Sequence, residues 1–149
     1  MRLWRISNYA DLDGNGGLVS SGRWHSLGSR IVYLAENPAS ALLERLVHLE
    51  IDPDDVPRFY QLIAVDIADD IAFDSIAEES LIGDWRSDDS ATRIAGDRWL
   101  REKRTALLRV PSAIVPHTVN WLLNPVHPDA AKITIAQVIR APFDVRLFR

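Results

Sequence analysis

The chain has 149 residues, 47% hydrophobic and 26% charged, which is the make-up of one globular domain over 1–149 and not of a fibrous or disordered protein. Seventeen basic residues against 21 acidic ones give a net charge of -4, so no broad cationic field is available to hold nucleic acid. With no cysteine there is no disulfide and no thiolate metal site.

The opening stretch "MRLWRISNYADLDGNGG" lacks the apolar centre of a signal peptide, and no apolar run approaches a membrane span. A cytoplasmic protein without membrane contact is therefore expected. "LWRIS" predicts a short strand, "NYADLDGNGGLVSSG" a Gly/Asn/Ser/Asp-rich loop, and "RIVYLA" a second strand of β-branched and aromatic residues. In "ENPASALLERLVHLEI" Asn37 is the N-cap and Pro38 the first helical residue. At about 100° per residue, Leu42, Leu43, Leu46, Val47 and Leu49 share one arc, with Glu44, Arg45 and His48 outside it and Glu44 at its boundary.

"DPDDVP" reads as a turn, "RFYQLIAVDI" as a strand, and "IAFDSIAEESLIGDWRSDDSATR" as a mixed connection. "ATRIAGDRWLREKR" predicts a helix weakened by Gly96. "ALLRVPSAIV", "TVNWLLN", "KITIAQVIR" and "DVRLF" predict strands near the C-terminus. Strands outnumber helices without alternating with them, so the expected class is α+β with a mixed sheet.

Several motifs are excluded or weak. "DLDGNG" carries Asp11, Asp13, Asn15 and Gly16 like the start of a calcium loop. Gly22 occupies the place of the closing Glu, however, and a Gly-rich turn is the better reading. His25, His48, His117 and His127 have no metal-ligand spacing, and neither a GxSxG elbow nor a phosphate-binding P-loop is present.

"SSGRWHSLGSRIVYLAENPASALLE" is more informative. Arg23 stands among small residues that let a ligand approach, and its guanidinium suits a bidentate grip on a pyrophosphate. Pairing with a surface acid is the simpler alternative. Tyr33 is either a core tyrosine or a platform for a flat heterocycle, and Glu44 is either a solvated helix residue or a carboxylate aimed into a cleft. Ser112 interrupts an apolar run, and Asn120 and Asn124 bracket Trp121-Leu122-Leu123. Such polar residues bond backbone at strand ends or face a ligand.

Taken together, "GRW", the Tyr of "VYLAE", "ALLE", "VPSAIVP" and "NWLLNP" with "HPD" resemble the RES-domain family of bacterial toxins, from "LWRIS" to about Ile133. The family's Arg, Glu and Ser fall on Arg23, Glu44 and Ser112. Its loop usually reads "GGRWN", and here Ser21 and His25 replace the first Gly and the Asn. The resemblance implies an ADP-ribosyltransferase-like split β-core with surrounding helices and NAD⁺ as substrate. It also implies a cognate antitoxin with a DNA-binding domain, and either breakdown of NAD⁺ by hydrolysis or phosphorolysis or transfer of ADP-ribose to a protein acceptor. On this basis Arg23 holds the phosphates, Tyr33 stacks on nicotinamide or its ribose, and Glu44 acts at the reacting ribose. Ser112 bonds near the nicotinamide end, with Asn124 a further binding candidate. No metal is required. A noncatalytic binding module and an RNA 2'-phosphotransferase-like enzyme are the competing readings, and the acidic balance argues against the second.

Overall fold

A computed structural model of the protein describes residues 1–49 and 53–148. The strands β1 (Arg2–Ile6), β2 (Val32–Ala35), β3 (Phe59–Ile67), β4 (Phe73–Ser75), β5 (Leu107–Pro111), β6 (Val119–Leu123) and β7 (Ile133–Pro142) form one sheet in the order β4-β5-β6-β2-β1-β3-β7. Only the β4–β5 pair is parallel. The α-helices are the single turn α1 (Gly16–Val19), α2 (Pro38–Val47) and α3 (Ser90–Glu102). The class is α+β, as expected. None of the described helices is long and apolar enough to cross a membrane.

The split of the core lies between β1 and β2, which pair only through Trp4 and Ala35. On one side β5, β6 and β2 run in continuous antiparallel register, and on the other β1, β3 and β7 pair antiparallel, with one register shift between β3 and β7 at Ala64/Val65. One core cluster, including Leu3, Val32, Leu34, Ile63, Val65 and Trp121, fills one face of the sheet. A second packs Leu108, Val110 and Leu122 under Trp24, Trp99 and Leu100, which seats α3 on the opposite face.

Three local expectations need correction. The first loop contains α1. "DVRLF" is a 3-10 turn over Val145–Phe148 and not a strand, because Asp144 accepts the backbone N–H of Arg146 at 2.9 Å and turns the chain. The leucine arc of α2 faces the core only in part: Leu42, Leu46 and Leu49 are half-buried while Leu43 is 38% and Val47 57% exposed, and the one buried residue of α2 is Ala41, outside the arc. Part of the "DPDDVP" turn lies outside the described residues; Pro53–Asp55 is a 3-10 turn.

Candidate active site

α2 begins where the sequence places it, with the Asn37 side chain accepting the Ser40 N–H at 2.8 Å and Pro38 in the first turn. Ala41 and Glu44 are three residues apart and so share a helix face. Since Ala41 is the residue pressed inward, that face carries the Glu44 carboxylate toward the sheet. Its Oε1 accepts from Asn120 Nδ2 at 2.8 Å and from Ser112 Oγ at 3.4 Å. No described residue donates to Oε2.

Ser112 stands just past β5, its N–H bonded to Thr118 O at 2.8 Å across the β5–β6 connection. Its Oγ accepts the N–H groups of Ile114 and Val115 at 3.1 and 3.2 Å. With both lone pairs occupied, the hydroxyl proton is left to donate to Glu44. Asn120 is fixed by the same carboxylate, because turning its amide over would set oxygen against oxygen. Its Oδ1 is buried without a partner among the described residues. Glu44, Ser112 and Asn120 therefore form one cluster in which the serine and asparagine hold the acid.

A second group forms around the loop before β2. The guanidinium of Arg23 donates to the carbonyls of Trp85 and Arg86 at 2.7 and 2.9 Å, which uses two of its five N–H groups. Trp24 is buried beneath α3, and Thr92 Oγ1 donates to Arg23 O at 2.7 Å. Gly96 is what admits this contact: a Cβ there would lie 1.7 Å from Trp24 O. Tyr33 is 37% exposed as a residue, while its hydroxyl is bonded to the Trp24 N–H and to His25 Nδ1. Burial pushes the phenol well above the usual tyrosine range.

Cross-strand pairing connects the two groups. Tyr33 pairs with Leu122 and Ala35 with Asn120, so Tyr33 and Asn120 lie diagonally on one face of β2 and β6, roughly 7–8 Å apart. Arg23 is close enough for its charge to act on the Tyr33 phenol. No hydrogen bond joins Arg23 to Glu44 among the described residues; they reach the same face through Tyr33 and Asn120. An open concavity of about 550 Å³ lined by Leu12, Arg30, Pro125 and His127, among others, gathers none of these residues.

Residues 2–144 match the RES domain family. The chain belongs to the RES-domain family of toxins. Toxin Res of Pseudomonas putida is 47% identical to it over 148 residues, covering 99% of this chain and 100% of its own. The Prs ADP-ribosylating toxin of Sphingobium sp. is 36% identical over 160 residues, covering 99% of this chain and 96% of its own. A chain from the crystal structure of the M. tuberculosis MbcT-MbcA toxin-antitoxin complex superposes with a TM-score of 0.75 at 16% identity, covering 99% of this chain and 86% of its own. That likeness speaks to the fold.

In this RES domain Asn124 has a different setting from the other candidates. It is fully buried, its Nδ2 donates to Leu100 O at 3.4 Å, and its Oδ1 accepts the Val126 N–H at 3.2 Å. One end of its amide is tied to α3 and the other to the turn after β6, so its position is that of a structural residue. Asn120 is the asparagine beside Glu44, and a polar residue between Val119 and Trp121 on an apolar strand was the available signal. Among the described residues no group of three or more His, Asp and Glu gathers as metal ligands would.

Proposed function

We propose that this RES toxin consumes NAD⁺ in the cytoplasm by cleaving the nicotinamide–ribose bond, and that it is silenced by a cognate antitoxin carrying a DNA-binding domain. The observation that carries the reading is the Glu44 carboxylate. One oxygen is held by two donors, and the other is without a donor among the described residues, on the face that Tyr33 shares. The nicotinamide leaves a ribosyl centre of oxocarbenium character, and an oriented carboxylate stabilises the charge that develops there. It also accepts from a ribose hydroxyl or orients the incoming nucleophile, a role typically contributing ~10²–10⁴-fold. Because the leaving ring is already cationic, its departure needs neither a proton nor a metal.

In this reading Ser112 and Asn120 position Glu44. Tyr33 offers its exposed ring face to the nicotinamide, and the N–H groups of Arg23 not bonded to Trp85 and Arg86 meet the diphosphate. Transfer of ADP-ribose to a protein is the preferred fate, favoured by the likeness to the ADP-ribosylating toxin of Sphingobium. Hydrolysis and phosphorolysis are the other fates of the same ribosyl centre. Incubation with labelled NAD⁺ and lysate distinguishes them: label on a protein band means transfer, and free ADP-ribose or its phosphate means breakdown. Glu44→Gln should fold and lose activity by at least ~10²-fold. Wild-type turnover in that variant would remove the carboxylate from the mechanism.

A further inference from the structure

The loop before β2 contains a buried histidine that the proposed chemistry does not use. His25 is 3% exposed, and both ring nitrogens are bonded. Nε2 lies 2.8 Å from Ser20 O and Nδ1 lies 2.7 Å from the Tyr33 hydroxyl. A carbonyl oxygen only accepts, so the Nε2 nitrogen carries the proton. Nδ1 of the neutral ring is therefore bare and accepts, which makes Tyr33 the donor. The phenol oxygen in turn accepts the Trp24 N–H at 3.1 Å. Every hydrogen bond in this chain has a forced direction.

The surroundings leave no second arrangement. A Cβ on Gly22 would stand 2.5 Å from the Tyr33 hydroxyl and 2.9 Å from His25 Cε1, so the loop is closed down on the pair. Gly22 and His25 bridge through their backbones, and Ser26 is clamped to Asp97 by its N–H at 2.8 Å and its hydroxyl at 2.5 Å. Burial lowers the pKa of His25, with the Ser20 carbonyl and Asp97 opposing and Arg93 assisting, so the ring is neutral where the bond to Tyr33 requires it.

We infer that His25 is the positioning residue for the nicotinamide-binding ring of this enzyme. It accepts the hydrogen bond of the Tyr33 phenol, anchors the hydroxyl end, and leaves only the ring face for the flat heterocycle. The inference rests on the NAD⁺ reading above. Its specific content is that the Tyr33 hydroxyl does not bind substrate, and that His25 acts on substrate only through that hydroxyl.

The test is a double-mutant cycle on NAD⁺ turnover with His25→Leu, Tyr33→Phe and the pair, together with the inhibition constant of ADP-ribose, which lacks nicotinamide. Each single change should raise KM for NAD⁺ ~tenfold, the scale of one buried hydrogen bond, while kcat stays within about threefold. The double variant should be no worse than the worse single, because both delete the same bond. Inhibition by ADP-ribose should not move, and His25→Asn should recover most of the affinity, since an amide can accept from the phenol. Multiplicative losses in the pair, an unchanged KM in His25→Leu, or equal weakening of NAD⁺ and ADP-ribose would overturn it. Should His25→Leu fail to fold, Tyr33→Phe alone carries the kinetic test, with the same rise in KM and unmoved inhibition by ADP-ribose expected, and nitrogen NMR of the wild type reads the ring directly. A proton on Nδ1 at neutral pH is an overturning result. A wild-type protein that leaves NAD⁺ intact sinks the functional reading, whereas an active wild type with indifferent variants sinks this inference alone.

Discussion

Replacing Gly96 with alanine should destabilise the protein, although helix propensity argues the opposite. An interior glycine costs a helix ~1 kcal/mol relative to alanine, so by propensity the change stabilises α3 by that amount. The added methyl, however, would sit 1.7 Å from Trp24 O, 2.7 Å from Trp24 C and 3.1 Å from Trp24 Cβ. These neighbours include backbone that cannot retreat easily. Trp24 is buried under α3, its N–H is bonded to the Tyr33 hydroxyl at 3.1 Å, and Thr92 holds the preceding carbonyl at 2.7 Å. Overpacking of this kind costs ~1–3 kcal/mol, and a backbone clash belongs at the upper end. Subtracting the propensity gain leaves a net loss of ~2 kcal/mol. For a chain of this size that lowers the melting temperature by ~4–8 °C. Thermal unfolding followed by far-UV circular dichroism measures it, and KM for NAD⁺ at a permissive temperature reports the displaced Arg23–Trp24 segment. An unchanged or raised melting temperature would refute the account of how α3 seats the loop.

Three further outcomes are expected. Arg23→Lys keeps the charge but cannot span the Trp85 and Arg86 carbonyls, so calorimetry in a Glu44→Gln background should show NAD⁺ affinity reduced at least ~tenfold. Equal affinity would remove Arg23 from phosphate binding. Ser112→Ala strips the Oγ acceptor from two N–H groups and a donor from Glu44; urea unfolding should show a loss of ~1–3 kcal/mol with kcat falling more than KM rises. An equally stable, equally active variant contradicts that assignment. Stability should also fall as pH drops below 6.5, because the unfolded histidine takes a proton that folded His25, its pKa lowered by burial, refuses. The difference between melts at neutral and mildly acid pH should shrink in His25→Asn, and an equally steep dependence there would assign the effect to other groups.

Much of the fold is legible in local pattern. The cap of α2 follows from Asn37-Pro38, because capping depends on neighbouring residues alone. β2, β3, β5, β6 and β7 follow from β-branched and aromatic runs that extend far enough to dominate. "DVRLF" fails because a single Asp side chain bonding two residues ahead outweighs the propensity of three apolar residues. The leucine arc of α2 is displaced by part of a turn, with Leu42, Leu46 and Leu49 half-buried and Leu43 and Val47 exposed, for a different reason. Periodicity finds an apolar stripe, but which stripe meets the body depends on what the sheet presents, and the sheet presents room for Ala41 and two donors for Glu44.

By itself the chain determined most of its elements, its family and the residue types of the candidate site, since these reside in short spacings and composition. Tertiary structure alone decided which asparagine stands beside the acid, which way the histidine–tyrosine bond runs, and why a glycine interrupts α3. Each of those answers depends on contacts between residues at least five positions apart, and the strength and direction of such a contact are set by distance in space.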